Sequence, residues 1–245
     1  AALAAMIEAG HVAGAALAVF VPEPARESPL FALDDVVVTP HLGASTAEAQ
    51  EKVALEIAEQ MSDYLLKGAI VNALNMPSVT AEEAPRLKPY MLLAEQLGSF
   101  AGQLTEGSLA GGTIRYAREG ARLNTRPLTQ MILKGLLSPL LASVNMVNAP
   151  AVARSRDIGV TTVETEDLEG YQTLIAVEVE TERGRREVCG TLIHDGRPRV
   201  VRIRGIEIEA RLADHMLYLR NSDTPGFIGA LGRLLGDAGI NIATF

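Results

Sequence analysis

Two residues of this chain have the chemistry and the placement for a proton-transfer step. Glu23 lies in Val21-Pro22-Glu23-Pro24, directly after the apolar run Ala13 to Phe20. His41 lies in Thr39-Pro40-His41-Leu42-Gly43, directly after Val36-Val37-Val38. A carboxylate that holds an imidazole fixes its tautomer and stabilises its protonated form, so the ring can take and return a proton near neutral pH. The bland alternative is a structural histidine and a solvated Pro-Glu-Pro turn, and it stands unless the fold brings the two residues together.

The elements around them have the right character. Both apolar runs have strand length, and their small and β-branched residues suit strands buried on both faces of a parallel sheet. Ligands of such sheets bind beyond the carboxyl ends of the strands, where the two proline-marked turns sit. Residues 2–9 read as a helix closed by Gly10. Ser45-Thr46-Ala47-Glu48 fits a capping box with Ser45 as the cap. A helix from Thr46 to about Lys67 follows, with Val53, Ile57, Met61, Tyr64 and Leu65 at three- and four-residue spacings. Lys67-Gly68 stops it, and Asn72 to Pro77 reads as a linker.

From about Glu82 the texture changes. Lys88 to Leu104 and Pro127 to Asn145 read as amphipathic helices, the second with a kink at Ser138-Pro139. Gly98, Gly102, Gly107, Gly111 and Gly112 lie within or after the first of these, with no strand before them. Residues 171–180, 187–193, 199–203 and 216–219 alternate apolar and polar side chains, as strands with one solvated face do. Gly184 and Asp195-Gly196 mark hairpin turns. Strict alternation places Arg202 and Arg204 on one face, opposite Arg199. The final stretch reads as strand, turn, helix Phe227 to Asp237, and a second strand at Gly239-Ile240-Asn241-Ile242. Such a βαβ beginning cannot bury its own faces, so a truncated domain is expected.

Composition narrows the function classes. The chain has 245 residues and a formal charge of −8, which argues against nucleic acid as a partner. Tryptophan is absent and aromatics make up 4%, so there is no stacking platform for bases. No apolar run reaches the roughly 18–20 residues that span a bilayer, and no secretory signal pattern is present. The single cysteine, Cys189, cannot form an internal disulfide and suits a reducing cytoplasm; its strand-like setting suggests a half-buried structural thiol. No metal site is expected. The chain opens at Ala1 without methionine, so a fragment or a processed product is expected.

Taken together, Gly14-Ala15-Ala16-Leu17 through Glu23-Pro24, Pro29-Leu30-Phe31, and Val38-Thr39-Pro40-His41-Leu42-Gly43-Ala44-Ser45-Thr46 resemble the end of the dinucleotide domain of D-isomer-specific 2-hydroxyacid dehydrogenases. The closest likeness is to the long branch of that family, which oxidises 3-phosphoglycerate to 3-phosphohydroxypyruvate with NAD in serine biosynthesis. The resemblance implies that His41 is the acid/base for the 2-hydroxyl and Glu23 its partner, with Ala18, His41 and Gly43 at the nicotinamide end of the cofactor. The family has aspartate where this chain has Ala18, so one acceptor for the nicotinamide is missing. The glycine-rich phosphate loop and the substrate arginine of the family find no counterpart here, so this chain alone is expected neither to bind NAD well nor to reduce it.

The resemblance also sets out an α/β chain in four parts. Residues 1–44 would end a Rossmann-like dinucleotide domain, and 45–77 would be a returning helix and linker. Residues 78–212 would be an α+β intervening domain, and 213–245 a truncated ACT βαβ unit. It implies L-serine as an effector at Asp223 and Asn241, and an anionic effector at Arg199 and Arg211. It further implies a homo-oligomer, usually a tetramer. Two plainer readings stand beside these: a tight turn at Asp223, and an arginine-rich solvated strand face balanced by Glu207 and Glu209. The alternative for the whole chain is a non-catalytic regulatory or oligomerisation module that binds serine or an anion.

Overall fold

The structure is a computed structural model that describes residues 2–105, 107–118, 120, 122–166, 170–222 and 224–244. Helix α1 (Ala2–Glu8) precedes two short strands, β1 (Ala15–Leu17) and β2 (Val36–Val38). These pair in parallel, with Ala15 opposite Val36 and Leu17 opposite Val38. One further bond, from the Thr39 amide to the Leu17 carbonyl at 3.0 Å, holds the two carboxyl ends together. Ala4, Ile7 and Leu30 form the small core beneath them. Leu30 is set by a short 3-10 turn, Pro29–Ala32, whose amide at Leu30 donates to the Ser28 hydroxyl.

Helix α2 (Ala47–Lys67) starts one residue later than the capping box at Ser45 required. Its cap is Thr46, whose hydroxyl accepts from the Ala49 amide at 3.1 Å. Glu48 then lies inside the first turn, where it pairs with Lys52 at 2.9 Å instead of reaching back. Gly68 ends the helix in the left-handed conformation (φ 74°) that a side chain disfavours. None of the residues of α2 is buried, and the stripe Val53, Ile57, Met61 and Tyr64 is exposed along its length.

The larger unit starts sooner than the linker suggested. Ile70 and Val79 bridge to each other and are both buried, so the segment between them is a loop pinned to the main core. Helix α3 (Glu83–Gln103) starts ahead of the expected Lys88. A reciprocal cap explains this: the Thr80 amide donates to Glu83 (2.9 Å) and the Glu83 amide to the Thr80 hydroxyl (3.2 Å). Then come β3 (Leu109–Arg118), α4 (Thr125–Leu137), α5 (Ala149–Ser155), β4 (Gly159–Thr165), β5 (Thr173–Thr181), β6 (Gly184–Ile193), β7 (Arg197–Ile203) and β8 (Ile206–Ala210). The six strands form one sheet in the order β4-β3-β5-β6-β7-β8, with only β3 and β4 parallel. One face carries Ile114, Tyr116, Ile175, Val177, Val188 and Val200, which join Leu93, Leu97, Leu128 and Ile132 of α3 and α4 in the main core.

Several expectations need correction. Strand β3 contains Gly111 and Gly112, residues expected to follow a helix. They are glycines because a Cβ would lie 2.8 Å from the Gly159 carbonyl oxygen and 2.6 Å from that of Glu178. Helix α4 ends at Leu137 rather than kinking at Pro139: the Ser138 hydroxyl bonds back to the Lys134 carbonyl (2.6 Å), and proline has no amide with which to continue. Between β6 and β7 the register slips, because Cys189 faces Arg202 while Gly190 faces Val200. This bulge leaves Arg199 on the same face as Arg202, where alternation had put it opposite. Arg204 is not on the strand face at all. With Gly205 it makes a two-residue turn in which both residues have positive φ, 52° and 81°.

The end of the chain differs most from the βαβ expectation. Residues 216–219 and 240–242 are not strands, since a strand without a partner leaves its main-chain groups unpaired and no described strand lies beside them. Helix α6 (Phe227–Asp237) does form, with none of its described residues buried. Ahead of it Tyr218 packs edge-on against Phe100 of α3, ring centres 6.0 Å apart at 89°.

The packing of α3 on α4 gives a direct test. A Cβ at Gly135 would lie 2.2 Å from the Glu95 carbonyl oxygen and 2.6 Å from the Ser99 amide nitrogen, both rigid main-chain atoms. Gly135→Ala is expected to destabilise the larger unit by about 2–3 kcal/mol, read from the urea midpoint of this chain. A loss within a few tenths of a kcal/mol would show that the two helices separate at little cost.

Candidate active site

The turns after β1 and β2 bring Glu23 and His41 together at the carboxyl ends of the two parallel strands. His41 Nδ1 lies 3.3 Å from Glu23 Oε2. A carboxylate accepts, so in the neutral ring this contact favours the proton on Nδ1 and leaves Nε2 as the acceptor. The His41 side chain is 62% exposed and that of Glu23 38%, which leaves the ring open to a bound molecule. The turn that carries Glu23 is braced by Phe20 on Phe31, in edge-to-face contact at 5.5 Å.

The other expected site residues fall into separate places. Ala18 directly follows β1 and is partly buried, while Gly43 is exposed in the turn after His41, so both share the strand-end region. Arg199 and Arg211 lie at the far end of the chain's large sheet. Val200 faces Ala210, the last residue of β8, and Arg211 follows it directly. Arg199 donates to the Pro198 carbonyl (2.9 Å) and approaches Glu209 at 4.0 Å. Asn241 is exposed after α6, and Asp223 lies outside the described residues.

One functional-looking cluster was not foreseen. Glu187 contacts Arg115 on one side and Arg202 on the other, the latter at 3.2 Å, and Arg202 also reaches Cys189 Sγ at 3.2 Å. The signal was present in the alternation of Glu187, Cys189 and Thr191 on one strand face and in the strand at 199–203, but Arg115 comes from β3, a strand that the sequence did not reveal. Cys189 itself is fully buried, not half-buried. Burial pushes its thiol well above the ordinary range, and the neighbouring Glu187 carboxylate adds to that, so it is no nucleophile. Among the described residues no group of three or more His, Cys, Asp or Glu side chains could hold a metal ion, and no helix is long and apolar enough to cross a membrane.

With that geometry in hand, comparison with known proteins is informative. Residues 1–43 match the NAD binding domain of D-isomer specific 2-hydroxyacid dehydrogenases. Residues 86–204 match the D-3-phosphoglycerate dehydrogenase intervening domain. Two stretches of the chain are thus similar to domains of D-isomer-specific 2-hydroxyacid dehydrogenases. It is 39% identical to the D-3-phosphoglycerate dehydrogenase of Bacillus subtilis over all of this chain and 47% of that one. It is 38% identical to that of Methanocaldococcus jannaschii over 97% of this chain and 45% of that one. A chloroplastic D-3-phosphoglycerate dehydrogenase of Arabidopsis thaliana is 35% identical over 98% of this chain and 42% of its own length. The chain thus spans under half the length of these curated relatives.

The likeness makes the orientation of the histidine the point to check. Long-range proton–nitrogen NMR of this chain should find His41 mainly as the Nδ1–H tautomer, and Glu23→Gln should shift it toward Nε2–H. An unchanged tautomer ratio would mean that Glu23 does not orient the ring. For Cys189, reaction with a thiol reagent at pH 8 should be slower by on the order of a hundredfold in the folded chain than in urea. Equal rates would contradict its burial.

Proposed function

We propose that this chain supplies the acid/base half of an NAD-dependent D-3-phosphoglycerate dehydrogenase, oxidising 3-phosphoglycerate to 3-phosphohydroxypyruvate in serine biosynthesis. The observation that carries this reading is the Glu23–His41 contact at the ends of two parallel strands, in a stretch similar to the NAD binding domain of D-isomer specific 2-hydroxyacid dehydrogenases. His41 Nε2 takes the proton of the substrate 2-hydroxyl as the C2 hydrogen leaves. Glu23 keeps Nδ1–H pointed inward and stabilises the imidazolium that results. NAD, when bound, receives the hydride. The return of the proton to solvent is eased by the exposure of the ring.

The residues present fit only one end of that cofactor. Ala18 and Gly43 lie just after the same two strands as Glu23 and His41, the place for the nicotinamide end, but Ala18 offers no acceptor for a carboxamide. No Gly-x-Gly-x-x-Gly occurs in the sequence, and no described helix start presents such a loop to a pyrophosphate. Cofactor affinity and substrate phosphate recognition therefore rest on residues that these 245 do not include.

The same reading extends to regulation. Arg199 on β7 and Arg211, directly after β8, are proposed as the cations for an anion such as the phosphorylated substrate. Asp223 and Asn241, which flank the α6 segment in the sequence, are proposed for L-serine in an ACT-type unit. The working form is a homo-oligomer in a reducing, cytoplasmic setting, in keeping with the lone buried thiol.

The deciding experiment is turnover with 3-phosphoglycerate and NAD in a full-length enzyme that carries this sequence. His41→Asn is expected to lower kcat by roughly two to four decades, with a much smaller change in KM. Near-normal turnover would remove His41 from its role and leave the chain as a binding and assembly module.

A further inference from the structure

The six-stranded sheet has two edges, and they are built differently. At β8 the edge strand is short, carries Glu207 and Glu209, and is paired to β7 through a register shift, all features that discourage another strand from adding on. At the other edge, β4 reads Gly-Val-Thr-Thr-Val-Glu-Thr, contains no lysine or proline, and follows β3 over seven consecutive residues without a bulge. Most of its residues are exposed, and among the described residues no strand lies on its outer side. Such a strand presents β-branched side chains and main-chain groups in a regular row that another strand can match.

We propose that the outer edge of β4 is the surface through which two copies of this chain pair, as antiparallel strands across a two-fold axis at Thr162. The sequence is complementary to itself in that register. Thr162 meets Thr162, Thr161 meets Val163, and Val160 meets Glu164, so the single acidic residue of the strand never faces its own copy. The flanks are complementary too. Arg154 and Arg156, partly offset by Asp157, precede the strand, while Glu164 and Glu166 end it. Antiparallel pairing sets the basic end of one copy beside the acidic end of the other, whereas parallel pairing would set like beside like. A partner strand from an unrelated protein would need the same pattern of small β-branched residues and opposed charge; a second copy supplies it by symmetry.

The proposal concerns assembly and is independent of the chemistry assigned to His41. Sedimentation velocity of the whole chain at about 100 µM, with circular dichroism to confirm the fold, is the first arm. The wild-type chain should associate reversibly. Thr162→Lys, which sets two ammonium groups opposite each other at an exposed position, should raise the dissociation constant at least about tenfold or reduce the assembly by one two-fold step. The second arm uses cross-linking: Thr162→Cys should give a disulfide-linked dimer on mild oxidation, and Ile57→Cys, on the exposed stripe of α2, should not. A monomeric wild type, an unchanged dissociation constant in Thr162→Lys, or cross-linking by Ile57→Cys in place of Thr162→Cys would each overturn it.

Discussion

The close approach of α3 and α4 is the constraint on which the larger unit depends. Gly98 packs against the main chain at Ile132, Gly102 against that at Leu136, and Gly135 against Glu95 and Ser99, so the two helices meet with no side chains between them along one line. That contact fixes their spacing, and the spacing decides how Leu93, Leu97, Leu128 and Ile132 together cover the sheet. Gly190 continues the same logic one layer down, since a Cβ there would strike Leu93 and Leu97. A Glu95–Lys134 ion pair at 2.6 Å closes the outer side of the helix pair, where solvent lowers its weight relative to the packing beneath. The order of importance is therefore shape first and charge second.

The end of the chain that carries Glu23 and His41 is held by much less. Two three-residue strands, one additional bond at Thr39 and a core of Ala4, Ile7 and Leu30 set the positions of Glu23 and His41. An exposed 3.3 Å contact between an imidazole and a carboxylate contributes little to stability, on the order of 0–1 kcal/mol. Its value lies in direction: it decides which nitrogen is free to meet a substrate proton. The strand ends bring the two turns side by side, and the turn chemistry does the aiming.

What could be read from the sequence follows from which signals are local. Val36-Val37-Val38 followed by Thr39-Pro40 is a local pattern, and so are the stop at Lys67-Gly68 and the alternation in 171–180 and 187–193, which leads to β5 (Thr173–Thr181) and β6 (Gly184–Ile193). The Glu23–His41 pair was legible for the same reason, since each residue lies one turn beyond a recognisable strand. Strand β3 was hidden because its two glycines answer to the neighbouring main chains at Gly159 and Glu178, a tertiary demand with no local trace. The bulge at Val200–Arg202 reversed the face of Arg199 through pairing with β6, which no single-strand pattern can report. The capping box was assigned to the right kind of residue in the wrong register at Ser45, and missed where it does occur, at Thr80 and Glu83.

The distribution of buried apolar surface orders the chain's local stabilities. The main core closes on itself: α3, α4 and the central strands β5 and β6 hold side chains with almost no exposure, such as Leu93, Ile132, Ile175 and Val188. Opening any of these exposes most of the core at once, so their amides should exchange only with global unfolding. Helices α2 and α6 bury no described residue, and their apolar side chains, Ile57 and Met61 on one and Ile228 and Leu234 on the other, gain nothing from packing here. Helix formation without such packing is marginal at these lengths. Both elements thus depend on caps, ion pairs such as Lys52–Glu48 and Lys67–Asp63, and whatever covers their apolar faces. It follows that the turns carrying Glu23 and His41, anchored by two short strands and the small core at α1, belong with the loosely held part of the chain, while the arginine-bearing strands belong with the rigid part. Helix α2 is the element that follows those turns in the chain. The apolar stripe on that helix makes its ordering sensitive to any surface that covers it.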